Sequence, residues 1–91
     1  MTTQDEIKLL KDLATGIPQS PYSWKMTSQK RRDKLIADLV KNRERILQLD
    51  LPKLIEGELY IIADSNDSQT FEALRTIREV LMEKYHQLRN R

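Results

Sequence analysis

From Gln69 to Arg89 the chain places Leu74, Ile77, Leu81, Tyr85 and Leu88 three or four residues apart, with no glycine or proline between them. At about 100° per residue this spacing draws a single apolar stripe down one helix. A helix with one apolar stripe is stable in water only when another layer of structure covers that stripe. What the rest of the chain can supply as cover therefore decides the fold.

It supplies more helices. Thr3-Gln4-Asp5-Glu6 fits a capping box, and Ile7, Leu10, Leu13 and Ala14 follow at helical spacing before Gly16 and Pro18 stop the run. A second segment opens near Thr27 or Ser28 and runs to about Gln48, with Leu35, Ile36, Leu39, Val40, Ile46 and Leu47 on one face. Asp50 then serves as a cap, with Pro52 in the first turn of a third segment, where its missing amide hydrogen is harmless. That segment, LPKLIEGELYIIAD, is ambiguous, because LYIIA also suits a buried strand. Nothing else in the chain reads as β, and a lone buried strand cannot satisfy its backbone. A helix is expected, with Leu51, Leu54, Ile55, Leu59, Ile61 and Ile62 on one face and Gly57 weakening its middle by about 1 kcal/mol relative to Ala.

Between these segments, residues 16–27 read as a loop because Pro18 and Pro21 lie three apart, and DSNDS at 64–68 reads as a turn ending in a helix cap. At 91 residues there is room for one core. The expected fold is all-α: a single domain, 1–91, forming a compact antiparallel bundle of four helices at approximately 3–15, 28–48, 51–63 and 68–89.

Charge is segmented along this frame. Residues 25–45 carry eight Lys or Arg against three acids, whereas residues 46–74 carry one Lys against six acids. On the second helix, Lys30, Lys34, Lys41 and Arg45 share one stripe nearly opposite the apolar face, with Asp38 close enough to pair with Lys34 and Lys41. That describes a solvated face. QKRRDK nevertheless sets cations in a first turn, where each opposes the helix dipole by a few tenths of a kcal/mol. A bound anion would relieve this, so Lys30, Arg31, Lys34, Lys41 and Arg45 also form a candidate nucleic-acid surface.

Other residues point to protein binding. Arg43 falls in the middle of the apolar stripe and Arg32 extends that line, so each needs an acid such as Glu56 or Glu58, a path by which it snorkels to solvent, or a partner. On the last helix Arg75, Arg78, Met82, His86 and Arg89 flank the apolar face, and Arg and Met are enriched at interfaces. The dipole accounts for His86 and Arg89 near the helix end, but not for Arg75 and Arg78. Tyr22 and Trp24, in PYSWK, either close one end of the bundle or stand out as binding anchors.

Several functions find no support. The chain has no cysteine, which excludes disulfides and thiol chemistry and leans towards a reducing compartment. DSNDS fails as a calcium loop, since Gln69 and Arg75 occupy the positions that need Gly and Glu. A single His, no HExxH and only two glycines argue against a zinc site and a phosphate loop. A helix-turn-helix at 52–63 and 69–80 has the right lengths, but Asp67 and Glu72 would face phosphates. No apolar run approaches the roughly 18 residues of a membrane span, and the N-terminus lacks the order of a secretory signal. We therefore expect a cytoplasmic protein that is not an enzyme, with no cofactor, no metal and no small-molecule substrate.

At the level of general type, a short, slightly basic, cysteine-free helical bundle resembles small inhibitor, immunity or adaptor proteins. The expected function is a protein-binding module, engaging a partner or a second copy of itself through Tyr22, Trp24, Arg43, Arg75, Arg78 and Met82. The alternative is a nucleic-acid-binding regulator that uses the basic second helix.

Overall fold

The computed structural model describes residues 3–64 and 67–90. All regular structure among them is helical: α1 (Thr3–Thr15), α2 (Pro21–Met26), α3 (Gln29–Lys41), α4 (Arg43–Leu47), α5 (Leu54–Ala63) and α6 (Asp67–Arg89). The all-α fold is as the periodicity predicts, and 59–63, the possible strand, is helical. Residues 65 and 66 of the expected turn lie outside the described residues.

α6 is the axis. Its 23 residues span about 35 Å at the usual helical rise, matching the long dimension of the molecule, 36 Å. α1 and α5 both pack along it. Thr3, Gln4 and Ile7 of α1 lie beside Leu88 and Arg89, so α1 runs antiparallel to α6. Glu58 and Ile61 of α5 lie beside Gln69, Glu72 and Thr76. α3 and α4 also pack against α5. The most deeply buried side chains, among them Leu10, Leu39, Ile46, Leu59, Leu74, Ile77 and Leu81, come from every helix except α2. α2 contributes Trp24 alone, and Ile17 and Leu49 extend the core from the connections.

Three expected boundaries move. Residues 16–27 are not all loop, because Pro21 sits in the first turn of α2, where no amide donor is needed. Ser20 caps that turn, its hydroxyl accepting from the Ser23 amide at 3.1 Å, and the Thr27 amide closes it on the Trp24 carbonyl at 3.1 Å. The long second helix is broken at Asn42, whose ψ of 8° leaves the helical range. Its side-chain Nδ2 donates to the Asp38 carbonyl at 2.7 Å, an acceptor it shares with its own backbone amide at 3.1 Å. The third helix begins at Leu54 rather than 51, and Asp50 does not cap it. Instead Asp50 faces Lys84 of α6 at 3.9 Å.

Candidate interaction surfaces

The first surface lies where α2 meets α6. Trp24 is only 6% exposed and its ring centre stands 6.2 Å from that of Phe71. The Arg32 guanidinium lies 4.5 Å from the centre of the Trp24 ring, and its Nη2 donates to the Trp24 carbonyl at 2.7 Å. Trp24 therefore closes the bundle. It is corrected from a surface anchor to a packing residue, because an indole of this size gains more from burial against Phe71 than from water. Arg32, unexplained by the helix pattern, is the cation that covers it.

Tyr22 is 72% exposed on the same short helix, and Met26, one turn on, is exposed beside it. Phe71, Arg75, Arg78 and Met82 follow one another at three- and four-residue spacing on α6, so they form one ridge that starts at the Trp24 contact. Arg75 is exposed and pairs with Glu72 of its own helix at 2.7 Å. Arg78 is half-buried, its Nε out of contact with water and without a hydrogen-bond partner among the described residues. Met82 is partly buried against the core. Arg43 does not join this surface. The break at Asn42 turns it out of the apolar stripe, and it is exposed, 4.0 Å from Glu56.

The second surface is the basic face of α3. Lys30, Arg31, Lys34 and Lys41 are all exposed, and none has an ion pair within 4.0 Å among the described residues. Asp38 does not pair with Lys34 or Lys41 as its spacing suggests. Arg45 leaves the stripe at the Asn42 break, donating to Asn42 Oδ1 at 3.4 Å and lying beside Asp5 and Asp12 of α1.

The third surface was not legible as such. Ile55, Leu59 and Ile62 carry the inner face of α5, yet Leu54 is 51%, Tyr60 69% and Ile61 37% exposed. Leu54 and Ile61, expected on the buried face, are corrected to its outer edge, since only part of a helix's circumference can meet α6. A Cβ built at Gly57, between them, meets no atom within 4 Å. The signal in the sequence is an apolar set wider than one stripe, Leu54, Ile55, Leu59, Tyr60, Ile61 and Ile62, which periodicity alone does not divide into buried and exposed members.

No group of three metal-ligating side chains is gathered among the described residues, and none of the described helices is long and apolar enough to cross a membrane. No protein-family model, curated protein or solved structure matches this chain.

Proposed function

We propose that the chain is a small protein-binding module of inhibitor, immunity or adaptor type, non-enzymatic and acting through a helix face. The observation that supports this reading is the Trp24–Phe71 contact, which sets α2 against the start of α6, with Tyr22 and Met26 exposed on α2 and Arg75, Arg78 and Met82 following Phe71 along α6. An exposed aromatic, a thioether and two guanidinium groups over a rigid base are the composition that interfaces favour. Arg75 is exposed, and its guanidinium suits a partner that brings a carboxylate. The cysteine-free composition supports a reducing compartment such as the cytoplasm.

Affinity capture by the full chain tests this, with Tyr22→Ala combined with Arg75→Ala and Arg78→Ala as the comparison. A partner retained by wild type and lost by the triple variant, with helicity unchanged, supports the surface. The same proteins retained by both would remove it.

A second reading rests on Lys30, Arg31, Lys34 and Lys41 of α3, exposed cations with no ion pair among the described residues, which suit a phosphate backbone. Fluorescence anisotropy with random duplex and single-stranded DNA and RNA at increasing salt decides it. Binding that weakens log-linearly with salt, with a slope reduced by about one unit for each of Lys30, Arg31 and Lys34 replaced by Ala, supports it. No binding at low salt eliminates it.

A further inference from the structure

We propose that α5 is the contact helix of a symmetric antiparallel dimer of this chain, in which Tyr60 of each copy seats over Gly57 of the other. The surface is made of different residues from the α2–α6 one and does not depend on it.

Lys53, Gly57, Tyr60 and Asp64 succeed one another at intervals of four, three and four residues, which sets them on one line along the outer side of α5. Lys53 and Asp64 flank the helix but keep helical backbone angles, so the line runs through both ends. Leu54 and Ile61, seven residues apart, form the apolar edge beside it. The line thus has a cation at its N-terminal end, an anion at its C-terminal end, and between them an open notch next to a projecting phenol.

This pattern complements itself. A two-fold axis crossing α5 between Glu58 and Leu59 brings Lys53 level with Asp64 of the second copy and Gly57 level with its Tyr60, and by symmetry each contact occurs twice. Leu54 and Ile61 lie on the same edge and fall within about 3 Å of axial register across the axis. A glycine at the crossing lets the two helices approach closely, and a ring from the facing helix fills the space that the missing side chain leaves. A parallel arrangement would instead oppose Lys53 to Lys53 and Asp64 to Asp64.

The end charges argue for the same occupant independently. A cation at a helix N-terminus and an anion at its C-terminus each oppose the helix dipole, so neither is placed to the advantage of the lone monomer. Against an antiparallel copy, each meets an opposite charge. A partner helix of a single sign of charge would match only one end.

α5 has ten residues, about 15 Å of helix, and one face of that length buries less than the roughly 1,200 Å² that separates weak from standard interfaces. The dimer is accordingly concentration-dependent.

Sedimentation velocity on the full chain across a concentration series tests it. Wild type is expected to move from monomer towards dimer. Gly57→Gln, at a position with no neighbour within 4 Å, blocks the Tyr60 seat while preserving the monomer, and is expected to abolish association. Lys53→Asp or Asp64→Lys alone should weaken association by roughly tenfold, since two exposed pairs turn repulsive. The double variant should restore it, and both reversals suit the helix dipole, so neither threatens folding. A chain that stays monomeric throughout, an association indifferent to Gly57→Gln, or a double reversal no better than either single would overturn the proposal. An association abolished by Tyr22→Ala but not by Gly57→Gln would overturn it while leaving the α2–α6 surface in force.

Discussion

Gly57 permits a sharp test of the exposed outer face of α5. The residue lies in the middle of a ten-residue helix, has no positive φ, and offers open space to a Cβ. Replacing it with Ala therefore removes backbone freedom from the unfolded chain and adds no clash to the folded one. Helix propensity sets the gain at about 1 kcal/mol, because no contact is made or lost. For a domain of this size that is a rise in Tm of about 4–8 °C. The assay is circular dichroism during thermal and urea denaturation, at protein concentrations low enough for the monomer to dominate. A fall in stability would refute the reasoning, since it would require an atom standing where the structure has none. The self-association of α5 adds a second reading to the same variant. Dimer formation stabilises the folded state by mass action, so wild type should gain stability as concentration rises and Gly57→Ala should gain less. One methyl group would thus raise the stability of the monomer and lower that of the dimer.

Trp24→Ala should cost about 3–5 kcal/mol, a large part of the whole stability of a small domain, because it empties a site packed against Phe71 and Arg32. Trp24→Phe should recover much of that loss, as urea denaturation can show. Arg43→Ala should change stability by less than about 0.5 kcal/mol, since its pair with Glu56 is exposed and 4.0 Å long. A cost of about 3–5 kcal/mol would instead mean the buried ion pair that the helix pattern suggested. Asn42→Ala should raise the helical circular dichroism signal, because Ala has the higher helix propensity and the Asp38 carbonyl is then left to the backbone amide alone.

The frame of the fold was legible because the long apolar stripes are strong local signals. Leu74, Ile77, Leu81 and Leu88 are all buried, and so are Leu10, Leu13 and Leu39. Two of the moved boundaries share one cause: each is set by the hydrogen-bonding chemistry of one or two residues, which hydrophobic periodicity does not register. Ser20 and Pro21 form a helix start, with a capping hydroxyl followed by a ring that needs no donor, yet the two prolines read as a loop. Asn42 reads as one more polar residue in a helix, although its side chain bonds the Asp38 carbonyl and its backbone leaves the helical range. That break then redirects Arg43 and Arg45, and so removes one residue from each candidate surface.

The surfaces were less legible than the core because a helical wheel gives a direction but not a neighbour. Trp24 and Arg32 lie eight residues apart on different helices, and only the packed structure joins them as ring and cation. In α5 the difficulty is different and more informative. Its apolar residues spread over more of the circumference than the fold buries, which is why the segment passes for a strand and why Leu54 and Ile61 pass for core. In an isolated monomer that outer hydrophobicity has no use, and Gly57 at its centre only weakens the helix. Both become reasonable when a second helix lies against that face. The ambiguity of the sequence and the exposed face of the structure are then one property: the apolar residues of α5 extend past the face that the fold covers, to Leu54, Tyr60 and Ile61.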